Sequence, residues 1–230
     1  MIGLYSANSQ SGVGFTGLLD EYGEAAAAYS VRRLSSTYTD SLIEVRRSSD
    51  NALQDIGFNA NGDLDTSALT TFVGAGDGFV RTWYDQSGNA NDSIQTTTSA
   101  QPQIVSSGSV ILDNSKAAID ILNNTELRSS TVSTESQPIT RIAVGNFNVI
   151  GSQSHLLDGI VQRGALGSTT SGWRIFAGSV SDYTTPASIN TQYLMFATYN
   201  GASSELSING SGLGTKSIGT RGFDGVIIGN

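Results

Sequence analysis

The chain has 230 residues, enough to bury a sizeable core, with only 14% charged residues, 27 glycines, 3 prolines and no cysteine. A net charge of −8 excludes a phosphate-neutralising nucleic-acid surface, which needs a surplus of Lys and Arg. The missing cysteines exclude a disulfide framework, a thiolate zinc site and a cysteine nucleophile.

In chain order, residues 1–17 are polar and Gly-rich and read as an N-terminal arm. The stretch MIGLYSANSQSG lacks the charged-then-apolar pattern of a signal peptide. LLDEYGEAAAAYSVRRLSS is predicted helical on the strength of Ala25 to Ala28, with Ser35 and Ser36 ending it. A second short helix is predicted at DTSALTTFVG, where Asp65 fits the N-cap and Gly74 the left-handed stop. The other predicted elements are strands: SLIEVRR, FVRTWY, QIV, SVIL, AAIDIL, ITRIAVGNF, HLLDGIV, GWRIFAG, YLMFATYN, SELSING and GVIIG. Turn dipeptides such as Asn61-Gly62, Asn200-Gly201 and Asn209-Gly210 separate some of them. No apolar run reaches membrane-spanning length, so membrane insertion is not expected. The pattern predicts an all-β fold, a two-sheet antiparallel jelly-roll sandwich over residues 18–230 with one or two short helices. A β-prism or other trimer-forming fibre domain is the second choice.

The run TWYDQSGNAND carries the densest set of candidate site residues. Asp85, Ser87, Asn89 and Asn91 alternate as calcium ligands do, although Gly88 falls two places early and Thr96 stands where a bidentate Glu belongs. Asn59, Asn61, Asp63 and Asp65 form a similar ladder. The competing reading is a turn, with Asp85 and Gly88 serving the loop's own backbone. No cofactor is required on that reading, and calcium is the one cofactor the pattern allows. Trp83, Tyr84 and Trp173 are candidates for stacking on a sugar ring, against a structural role as core anchors. The sole histidine, His155, has no nucleophile elbow to serve and reads as structural.

The segments AAAAYSVRRLSSTYTDSLIEVRRSSDNALQDIGF and GDLDTSALTTFVGAGDGFVRTWYDQSGNANDSIQ resemble the N-terminal half of the catalytic domain of α-L-arabinofuranosidase B. They resemble still more closely a set of phage and bacterial proteins with a concanavalin A-like, laminin-G-like sandwich. The resemblance covers about residues 18–105 and rests on YSVRRL, VRRSSDN and TWYDQSGN together. It implies a concanavalin A-like jelly roll. In the arabinofuranosidases the nucleophile is a Glu following two adjacent cysteines, and the acid is an Asp just after a strand like GVIIG. Here there is no Cys, the Glu residues beyond 130 are Glu135 and Glu205, and the acid's place holds Asn230. An amide donates no leaving-group proton, so no catalytic residue carries over. Related sandwiches continue with one more strand, so a closing strand is expected to be missing here.

These observations lead to an expectation of a phage virion-surface structural protein: a capsid decoration, head fibre or tail adhesin. Its expected partners are other virion subunits or copies of itself, with a host-surface glycan as possible ligand and neither nucleic acid nor membrane. Its expected location is the virion surface. The first alternative is an arabinofuranosidase-like glycoside hydrolase or depolymerase, and the second a ligand-free cement protein.

Overall fold

The computed structural model describes residues 15–122, 124–130, 134–151, 153–185 and 187–229. In chain order they form α1 (Leu18–Glu21), β1 (Ile43–Arg47), β2 (Leu53–Ile56), α2 (Thr66–Val73), β3 (Gly78–Trp83), β4 (Ser93–Ile94) and β5 (Gln103–Ser106). Next come β6 (Ser109–Val110), β7 (Leu112–Asp113), β8 (Lys116–Ala117), β9 (Leu127–Ser129), β10 (Ile139–Gly145), β11 (Ser154–Asp158) and β12 (Ala165–Thr169). β13 (Gly172–Phe176), β14 (Val180–Asp182), β15 (Tyr193–Tyr199), β16 (Ser204–Ile208), β17 (Ser211–Lys216) and β18 (Ile227–Ile228) complete the set.

The architecture is the expected antiparallel β-sandwich. One sheet runs β14-β13-β12-β11-β18-β9-β4-β3-β1-β2, with β5 paired to β3 and β6 to β5, and a four-stranded sheet runs β10-β15-β16-β17. β18 lies between β11 and β9, so two residues near the chain's end join the halves of the large sheet. A first core fills the space between the sheets, with Leu166, Trp173 and Ile175 on one side and Met195, Ala197, Tyr199 and Leu206 on the other. A second core, Leu42, Ile43, Val45, Ile56, Leu69 and Val80 among others, lies around β1, β3 and α2. In β1 the simple in-out alternation fails, because Ile43, Val45 and Arg46 are all buried and the register against β3 shifts at Glu44/Val45.

α2 forms as expected: the Asp65 side chain accepts from the Ala68 N–H at 2.9 Å, and Gly74 ends the helix at φ +67. The first helix does not. Only Leu18–Glu21 is helical, and Ala25 to Ala28 lie outside any helix or strand. The cause is tertiary and appears below. Of the expected arm, residues 1–14 lie outside the described residues, while Gly17 is seated so closely on Leu34 that a Cβ would fall 2.0 Å from its carbonyl oxygen. Asn230 also lies outside the described residues. Among the described residues no helix is long and apolar enough to cross a membrane.

Candidate functional site

The TWYDQSGNAND loop follows β3 and is folded around the segment 25–34. Asp85 Oδ1 accepts the N–H groups of Ala28 (2.8 Å) and Ser87 (2.9 Å). Its Oδ2 accepts from the Ser87 hydroxyl (2.7 Å) and the Asn91 N–H (3.0 Å). Gln86 reads every second residue of the segment: Nε2 donates to the carbonyls of Ser30 and Arg32, and Oε1 accepts from the Leu34 N–H. Asn89 and Asn91 donate to the carbonyls of Ala25 and Ala26. The carbonyls of Ala25 and Ala26 and the N–H of Ala28 are thereby in use and cannot close i→i−4 helix bonds, which is why four consecutive alanines form no helix.

This arrangement also bears on the calcium ligands. Asp85 is buried with both oxygens in use, and Asn89 and Asn91 present their NH₂ groups to carbonyls. The four side chains serve the loop and its neighbour rather than a common centre. In the second ladder Asn59 Oδ1 accepts from Asn61 and Asp63 N–H groups while Asp65 caps α2. Among the described residues no three His, Cys, Asp or Glu side chains converge to hold a metal ion.

The aromatic candidates separate. Trp173 is 1% exposed in the first core, edge-on to Tyr193 at 4.9 Å, and has no face to offer a sugar; its assignment to glycan binding is corrected to a core anchor. Trp83 is half-buried against the second core and 6.0 Å from the Tyr29 ring. Tyr84 alone of the three lines a cleft of about 950 Å³. The signature loop meets residues 35–41 and Asp55 there.

The cleft's chemistry is acidic and phenolic. Glu24, Asp40, Asp55, Asp85 and Asp92 line it with Tyr38 and Tyr84, and no Lys, Arg or His does. Asp85 is committed to its loop, and Asp92 Oδ1 accepts the Asp85 N–H at 2.9 Å. Asp55 Oδ1 accepts the Tyr84 hydroxyl at 2.8 Å, and Asp40 has no hydrogen bond or ion pair among the described residues. Burial, and then the neighbouring Asp55, pushes the Tyr84 phenol above its usual range, while burial and Asp40 push Tyr38 up to about 12. Both phenols are therefore neutral donors at ordinary pH. Exposed carboxylates beside neutral hydroxyl donors can bind sugar hydroxyls and can move protons. Sequence reading passed over Asp40 and Asp55 because each is an ordinary acid in its own segment. The available signal was STYTD, where Tyr38 and Asp40 lie two apart.

His155 lies apart from the cleft, buried on β11 with Nδ1 3.7 Å from Asp158 Oδ2. Glu135 makes an isolated bridge to Phe223, Glu205 lies on β16, and neither lines the cleft.

Residues 22–136 match the family model described as "Alpha-L-arabinofuranosidase B, catalytic". A solved GH54 α-L-arabinofuranosidase soaked with a cyclic sulfate inhibitor is 17% identical, with a TM-score of 0.69 over 88% of this chain and 54% of its own. An arabinofuranosidase complexed with arabinofuranosyl-α-1,2-xylobiose is 18% identical, with a TM-score of 0.62 over 89% of this chain and 58% of its own. The chain thus spans little more than half the length of these structures, and at such identity they establish the fold alone. No curated protein matches. The expectation of a virion-surface structural protein is overturned by the family match, which ties the signature half of the chain to a hydrolase's catalytic domain. Half of the sequence, with both of its signature segments, is accounted for by that match, and the chain belongs to the α-L-arabinofuranosidase B catalytic-domain family.

Proposed function

We propose that this chain is an arabinofuranosidase-like glycoside hydrolase domain that binds an α-L-arabinofuranosyl group in the acid-lined cleft. The observation that carries the reading is that residues 22–136, which match the family, supply all the cleft's lining except Leu19. Glycoside hydrolysis uses two carboxyl groups, one protonating the leaving oxygen and one acting at the anomeric carbon or on water. Asp55 and Asp40 are assigned to this work. Asp55 is held by the Tyr84 hydroxyl and Asp40 is exposed and uncommitted, whereas Asp85 has no free oxygen.

Release of 4-nitrophenol from 4-nitrophenyl α-L-arabinofuranoside tests the proposal. Turnover by the chain, reduced at least about 100-fold in Asp55→Asn and in Asp40→Asn, is the expected result. No turnover by the unaltered chain would sink the hydrolase reading. Full turnover in both variants would move the chemistry out of this cleft.

A further inference from the structure

The outer face of the four-stranded sheet carries a groove that shares no lining residue with the acid-lined cleft. β15, β16 and β17 align Phe196, Ser207 and Gly212 in one cross-strand row, with Thr198 and Glu205 in the next. Phe196, Thr198, Glu205, Ser207, Gly212 and Gly214 line a cavity of about 320 Å³. On β15 the alternate residues Met195, Ala197 and Tyr199 fill the core, so the positions between them face away and would ordinarily be polar. Instead Phe196 is 44% exposed and its cross-strand partner Ile142 is 54% exposed. Exposed Val144 and Leu194 are likewise paired and extend the strip. A contiguous apolar strip of this kind marks a contact surface.

The groove's open side is glycine-made. Gly212 lies outside the left-handed φ region, and no atom lies within 4 Å of the place a Cβ would take. Neither backbone conformation nor packing requires glycine there, and a strand-interior glycine weakens its strand. The β16–β17 register shifts beside it, between Glu205 and Ser207, and the absent side chain leaves the groove open to close approach of a ligand. The Glu205 carboxylate has no hydrogen bond or ion pair among the described residues, and no cation lines the groove. That lining accepts hydroxyl donors and repels anions.

We propose that this groove binds a neutral glycan chain, a second polysaccharide-binding site that would hold polymer while the cleft acts on its side groups. This auxiliary role rests on the hydrolase reading above. A sugar's polarised C–H face is attracted to the negative face of the Phe196 ring, and its hydroxyls donate to Glu205 and exchange hydrogen bonds with Thr198 and Ser207. A second copy of the chain fits less well. Four apolar side chains on two strands cover less than the roughly 800 Å² per partner of a stable interface.

Affinity electrophoresis in gels containing soluble arabinoxylan tests the site. Retardation of the chain is expected, with Kd raised at least about tenfold in Phe196→Ala and in Gly212→Val. Turnover of 4-nitrophenyl α-L-arabinofuranoside should be unchanged in both, and near-UV circular dichroism would verify that they fold. Absence of retardation, or equal retardation of the unaltered chain and both folded variants, would overturn the groove. So would a concentration-dependent dimer in sedimentation velocity that Phe196→Ala abolishes, since the occupant would then be a second copy. Arabinoxylan binding that is lost in the variants, in a chain without small-glycoside turnover, would reject the hydrolase reading and the auxiliary role but uphold the glycan site.

Discussion

Gln86 and Leu34 are 52 positions apart, and the Gln86 side-chain oxygen accepts the Leu34 backbone N–H at 2.8 Å. With its NH₂ group on the carbonyls of Ser30 and Arg32, this buried amide replaces a missing neighbouring strand for three residues of YSVRRL. The two segments that mark the family are thus physically one object, each supplying the other's hydrogen bonds.

Removing that object's side chains should be costly. Asp85→Ala leaves four donors without their acceptor and Gln86→Ala three backbone groups, at about 1–3 kcal/mol for each one buried and unpaired. Both variants should lose roughly 3 kcal/mol in urea unfolding. Their combined loss should be smaller than the sum, because the first substitution already frees the segment. Faster amide exchange at Ala28 and Leu34 would locate the damage; unchanged urea midpoints would show that the loop does not hold the segment. In Asp85→Ala the loss of stability should exceed any loss of glycan binding.

The Tyr84–Asp55 hydrogen bond gives a separate expectation. Tyr84→Phe removes the donor from a surface carboxylate and should change global stability by less than about 1 kcal/mol. The same substitution should lower kcat/KM on 4-nitrophenyl α-L-arabinofuranoside roughly tenfold. The reverse pattern, a large loss of stability with unchanged kinetics, would make Tyr84 a fold residue only.

Helix α2 rests on a local device. Asp65→Ala deletes the acceptor for the Ala68 N–H and should cost about 1 kcal/mol in thermal or urea unfolding. Asp65→Asn, which retains a capping oxygen, should recover most of that loss.

His155 sets a pH dependence. Burial is the largest influence on the ring and lowers its pKa below 6.5; Asp158 opposes this, and Arg163 and Arg174 add to it. A depressed folded pKa means that protonation favours the unfolded chain. The contribution of the neutral ring is therefore fully present above pH 6.5 and is lost as pH falls through the folded value. Between pH 7.5 and 5, Tm should fall more steeply in the unaltered chain than in His155→Gln. Parallel curves would exclude this histidine as the source.

The sequence by itself determined what local chemistry controls. Short runs rich in strand-forming residues located β1, β3, β10, β15 and β16, and the Asp65 and Gly74 pair bounded α2. Turn-forming side chains and the two family segments were equally legible, because capping, alternation and turn geometry depend on residues a few positions apart. Tertiary structure decided the rest. It drew Ala25 to Ala28 out of a helix by giving their backbone to Asp85, Asn89 and Asn91. It buried Trp173 between sheets that the sequence could not orient, and it brought Asp40, Asp55 and Tyr84 to one cleft from three separate segments. Hydrogen bonds and cavities join groups by distance in space, and a chain that sets β4 between β3 and β9, with β18 closing beside β9, fixes those distances only when folded.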